Sequence, residues 1–193
     1  FIGVGNIDNP NDKDFQVQLM ESPLKSYNIW LDEQTRSFLK LALHFSQVCG
    51  FESASDSGRK FQTSDDEFTI KYFNVIHDVM SGRAINTPAR IGHKTGIIET
   101  AKVKFDAYTI PMRMAILLHE FSHFYLNENP RDETEADLNA LHIYLSMGYP
   151  RIEAYQAWLE VFKGTDTPQN RERWDKIKKF IDEFENKSYA LIP

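Results

Sequence analysis

Cysteine is almost missing from this chain: Cys49 is the only one in 193 residues. An intrachain disulfide is therefore excluded, and the fold must be held by packing or by a bound metal. That usage fits a reducing compartment, with the cytoplasm slightly favoured. Long apolar runs are missing too, so no membrane-spanning segment is expected. There is no basic stripe: 22 Lys and Arg stand against 28 Asp and Glu, a net charge of -6 with a pI near 5.5. Lys176, Lys178 and Lys179 are too few and too interleaved with acids to follow a phosphate backbone, so no nucleic-acid partner is expected. No internal repeat or low-complexity tract appears. What remains is ordinary for a globular protein, 41% hydrophobic and 26% charged residues in a length that suits one domain with a proper core.

Residues 1–30 mix Gly3, Gly5, Asn6, Asp8, Asn9 and Pro10 with isolated apolar residues, which reads as an extended N-terminal arm laid over a domain that occupies 31–193. Asp32 is an N-cap for a helix whose apolar residues, Phe38 to Val48, recur at three- and four-residue spacing until Gly50. Residues 52–66 are rich in Ser, Asp and Gly and read as a loop. The apolar segment from Phe68 to Met80, ending at Gly82, reads as a second helix. From Ala89 the period changes. Ala89–Gly92, a His93–Gly96 turn, Ile97–Glu99 and the alternation Lys102–Asp106 together predict a small sheet.

Pro111 then opens a helix of dense apolar residues carrying His119-Glu120-Phe121-Ser122-His123, an H-E-x-x-H. Two histidines four apart leave the same helix face and can share one ion at about 2.0–2.1 Å. Glu120 is off their axis, where it can reach a water on the ion rather than the ion itself, the place for a general base of hydrolysis. A core helix with two ordinary histidines is the competing reading, but it buries two imidazoles and a carboxylate together at considerable cost. The spacing therefore predicts a zinc site.

Asn127–Arg131 reads as a turn, and Asp132 with Glu135 as a capping box that opens a helix running to Gly148. Two further helices follow, one from Pro150 closed by Gly164, and an amphipathic one from near Pro168. A metzincin needs Gly and His where this chain has Leu126 and Asn129, and Cys49 lies in a context unlike a peptide deformylase motif. What does follow the motif is Glu133-Thr134-Glu135-Ala136-Asp137, with Glu133 and Asp137 one turn apart.

In this the chain resembles gluzincin-type zinc metallopeptidases, closest to the small ImmA/IrrE-like domains, over residues 111–145. The resemblance implies a zincin-like α+β fold, mostly helical, with a small β-sheet before the motif helix. It implies His119, His123 and Glu133 as zinc ligands, Glu120 as base and Asp137 as an acceptor orienting a ligand histidine. Only nine residues separate His123 from Glu133, fewer than the family usually has. Counting helix rise brings Asp137 nearer the histidines' level, so Asp137 competes for the ligand position. Tyr144 and His93 are candidates for stabilising an oxyanion, and both read as structural residues. The implied activity is hydrolysis of a protein or peptide substrate. The alternative is a non-catalytic zinc-binding module of a larger assembly.

Overall fold

The apolar spacing after Asp32 builds what a 3.6-residue period should. In the computed structural model, which describes residues 32–163 and 165–190 with side chains to 184, α1 runs Glu33–Val48 and buries Phe38, Leu39, Leu41, Ala42 and Phe45. Asp32 caps it by accepting from Thr35 N at 2.7 Å. The expected arm, 1–30, and the helix-closing Gly164 lie outside the described residues.

The next 50 residues depart from the sequence reading. Residues 52–66 are not all loop, because Arg59–Gln62 forms strand β1. Arg59, Lys60 and Gln62 are polar and exposed and only Phe61 is apolar and half-buried, so no alternation announced it; backbone pairing with its neighbour makes it a strand. The expected helix over Phe68–Met80 is strand β2, Thr69–Phe73, followed by turns. Ile70 and Tyr72 point inward and Thr69, Lys71 and Phe73 are half-buried, a period of two in a β-branched and aromatic stretch. Val79 and Met80, which a helix would have buried, are 86% and 95% exposed.

Strands β3, Ala89–Ile91, and β4, Ile98–Ala101, complete the sheet in the order β1-β2-β4-β3. β2 and β4 run parallel; β1 and β3 pair antiparallel on the outside. The alternation over Lys102–Asp106 is not a strand. Lys102–Phe105 is a one-turn helix, α2, because Phe105 turns into the core while Lys102 pairs with Asp106 at 2.7 Å one turn on.

Helices α3, Ile110–Tyr125, α4, Glu133–Ser146, α5, Arg151–Phe162, and α6, Pro168–Ala190, follow as the sequence predicts. α3 is central: it touches α1, α4, α5, β3 and β4, and so buries residues nearly all round. Phe121 stacks on Phe38 at 4.2 Å between centroids and on Tyr125 at 4.7 Å. Buried Arg113 donates to the Ser46, Phe105 and Asp106 carbonyls, pinning α3 to the ends of α1 and α2. The described residues form one α+β domain around one core. No helix among them is long and apolar enough to cross a membrane.

Because Phe121 anchors α3 on the side away from the histidines, Phe121→Ala is expected to cost about 3–5 kcal/mol. In urea unfolding the midpoint should fall with the slope unchanged; a variant as stable as the parent contradicts this packing.

Candidate metal centre

Thr109 starts α3 by accepting from Met112 N, and Pro111 fits its first turn. Ten residues on, the helix surfaces beside β3, and His119 and His123 leave it together, their Nε2 atoms 3.0 Å apart. α4 returns antiparallel after the Asn127–Arg131 turn. The turn is fixed by its own polar side chains. Asn127 Nδ2 donates to the Asn129 and Asp132 carbonyls, and the Glu135 carboxylate accepts from Glu128 N and Asn129 N. Half of the expected capping box therefore forms, Asp132 Oδ1 accepting from Glu135 N at 2.9 Å, while Glu135 holds the turn rather than Asp132 N.

This short hairpin puts Glu133 across from the histidines, Oε2 at 3.3 Å from His119 Nε2 and Oε1 at 3.5 Å from His123 Nε2. His119, His123 and Glu133 each offer one ligand atom, all within 4.8 Å of one another, the group of this kind found among the described residues. Asp137, one turn later and fully buried, meets the other side of His119, its Oδ1 3.0 Å from Nδ1. That approach lies outside hydrogen-bonding angles, so Nδ1 is a buried nitrogen held by charge alone.

The outer faces of both rings decide what the inner faces can do. His123 Nδ1 lies 2.9 Å from the Pro130 carbonyl, which can only accept, so the proton belongs on Nδ1 and the Nε2 lone pair points inward. At His119 the negative charge of Asp137 beside Nδ1 favours the proton on that nitrogen without a hydrogen bond of good angle. Two imidazole lone pairs and a carboxylate thus converge on one position, a donor set that fits a zinc ion. Burial alone would depress the His119 pKa, but Asp137 and Glu133 outweigh it and raise it to about 10. The position attracts positive charge, and a proton and a cation compete for it. Burial opposes ionisation of Glu133 and Asp137 too, yet the imidazoles hold Glu133 well below the usual carboxylate range and, joined by Arg173, lower the pKa of Asp137.

Glu120, half-buried, lines the same cleft, and burial raises its pKa against the opposing pull of the two histidines and the Ile91 main chain of β3. The cleft has a volume of about 660 Å³ and runs from β3 across the histidines to α5 and α6. Of the two other candidates, Tyr144 is buried with its hydroxyl donating to Pro150 O at 2.7 Å, a structural position. His93 is exposed at the β3–β4 turn, lines the cleft, and lies 6.3 Å from the His123 ring centre to centre. Gly96 closes that turn at φ +68°, where a Cβ would come within 2.5 Å of Tyr125 Oη at the end of α3.

Three contributors carried no sequence signal: the Pro130 carbonyl, Trp158 and Arg173. Trp158 Nε1 donates to Asp137 Oδ1 at 2.7 Å, and Arg173 reaches both carboxylates. A carbonyl has no residue signature, and nothing in the spacing of Trp158 or Arg173 relates them to a motif 35 to 54 residues earlier. No family model, curated protein or solved structure matches the chain.

His119→Ala and His123→Ala are each expected to abolish stoichiometric zinc uptake, measured by metal analysis of purified protein. Glu133→Ala should weaken zinc binding more than Asp137→Asn, which should lose the roughly 10–100-fold expected when a partner behind a ligand is removed. The opposite order would move the third ligand to Asp137.

Proposed function

We propose that this chain is a zinc metallopeptidase with a minimal zincin-like domain, hydrolysing peptide bonds at the cleft between β3 and α3. One observation carries the reading: the inward Nε2 atoms of His119 and His123 and the Glu133 carboxylate converge within 4.8 Å, beside a fourth ionisable group, Glu120, that faces the cleft instead of the cluster. A zinc ion held there supplies a Lewis acid that makes water acidic near neutral pH and polarises a carbonyl.

The chain's own residues do the rest. Glu120 takes a proton from the attacking water and hands it to the leaving amine. Pro130 and Asp137 fix the imidazole rings from behind. His93, at the β3–β4 turn beside His123, is one of the cleft's donor side chains that a developing oxyanion could meet. A peptide is the substrate that suits this geometry because β3 is an edge strand of the sheet and lines the cleft with Ala89, Arg90 and Ile91. The register pairs Gly92 N with Ile97 O, so the main-chain groups of Ala89 and the Ile91 carbonyl turn away from β4 toward the open side, where an extended chain can pair.

The competing reading is a zinc module without activity. A site serving only the fold is normally closed by four protein ligands, whereas here three groups among the described residues border an open cleft.

Glu120→Gln separates the two. Glutamine keeps the side chain's shape but cannot accept the proton. Zinc content and melting temperature should stay near wild type while cleavage of an unfolded protein substrate falls by at least about 10²-fold. Equal activity in both proteins means Glu120 is not the base; zinc-loaded wild type that cleaves nothing across a broad peptide library favours the inactive module.

A further inference from the structure

We infer that Arg173, on α6, is a positioning residue of the metal site, holding Glu133 and Asp137 in their two different roles. The inference rests on the metal reading above. Arg173 is 8% exposed, and its Nε and Nη2 are both committed to carboxylates. Nε lies 2.7 Å from Asp137 Oδ2 and Nη2 3.0 Å from Asp137 Oδ1, a two-pronged grip on one carboxylate. The same Nη2 lies 3.2 Å from Glu133 Oε2, and the guanidinium carbon sits 4.9 Å from the centre of the Phe162 ring, which backs it from α5.

The grip on Asp137 alone could be structural, since a buried carboxylate needs a partner. The contact to Glu133 is different. The Glu133 side chain is 43% exposed and could satisfy itself in water at no cost to the core. It is instead held facing two imidazole nitrogens, against the rotamer freedom of a long flexible side chain. Arg173 supplies an opposing charge to the same oxygen that meets His119 Nε2. One planar cation thus spaces two carboxylates one helical turn apart, so that Glu133 faces the inner nitrogens and Asp137 the outer one. Lysine, a point charge without the fork, cannot grip Asp137 with two prongs and reach Glu133 together. It follows that the last described helix is part of the metal centre, though it starts 45 residues after His123.

The test uses the full chain as wild type, Arg173→Lys, Glu133→Gln and the double variant. The readouts are zinc affinity by chelator competition, the visible spectrum with cobalt, and thermal unfolding without metal. Arg173→Ala leaves a buried charge unpaired and is expected to unfold much of the protein, which makes lysine the informative change. Arg173→Lys should melt within a few degrees of wild type, bind zinc about 10–100-fold more weakly and shift the cobalt bands. In the Glu133→Gln background the same change should cost clearly less affinity, because its effect passes through Glu133. Wild-type zinc affinity with an unchanged cobalt spectrum in Arg173→Lys overturns the inference. So does a loss equal in both backgrounds, or one that only tracks a collapse in melting temperature. Wild-type protein that takes up no zinc defeats the metal reading itself, an outcome the wild-type arm alone decides.

Discussion

Asp137 is a carboxylate with no exposure to solvent, and much of this molecule is arranged around keeping it charged. An ionised group in a protein interior is tolerated only when its oxygens are met by donors and opposing charge. Trp158 and Arg173 donate to it, and His119 faces it. Those partners come from α5, α6 and α3, while Asp137 itself is on α4, so satisfying one side chain fixes the mutual positions of four helices. The same contacts set the His119 ring and, through Arg173, the Glu133 carboxylate. The packing of four helices and the placing of the His119–His123–Glu133 cluster therefore draw on one network.

The apolar half of the architecture makes that network possible. α3 is buried on most sides, with Met114, Leu117, Leu118 and Phe121 in the core, and its histidines leave it where it meets β3 and α4. A helix held by aromatic stacking at Phe38 and by the Arg113 clamp at its start has little freedom to tilt, so side chains at fixed spacing on it are fixed in space. The sheet contributes its edge. β3 is the outermost strand and forms the wall of the cleft opposite the helices, which is why a short strand of three residues matters to the site at all.

The sequence was most legible where a local rule decides the outcome. The helices around the motif follow from period, caps and proline placement, and the adjacency of His119 and His123 follows from one turn of helix. It was misleading at Phe68–Met80, where apolar residues are dense enough to satisfy a helical count and the alternation that marks a strand spans only Thr69–Phe73. It was silent at β1, which owes its extension to β2 rather than to its own composition. It was silent again at Arg173, one cation among many on an amphipathic helix. Only the packing of α6 against α4 distinguishes it from the neighbouring Arg171, which pairs with exposed Asp166 at the surface.

The division between Glu133 and Asp137 shows how rise and face compete. By rise alone the shorter acid stands nearer the histidines' level, and a reading based on height would make Asp137 the ligand. The hairpin turn is so short that α4 begins almost beneath His123, with the Pro130 carbonyl already at that ring's outer nitrogen. From the first turn of α4, a side chain must extend one further bond to reach the inner nitrogens, and glutamate does. From the second turn, aspartate meets the back of His119 without extending, and its shortness keeps it in the buried grip of Arg173 and Trp158. Exchanging the two acids would leave the longer side chain crowded in the interior and the shorter one unable to span to both imidazoles. The order glutamate then aspartate is therefore a consequence of the nine-residue connection, in which side-chain length replaces the helix rise that a longer loop would provide.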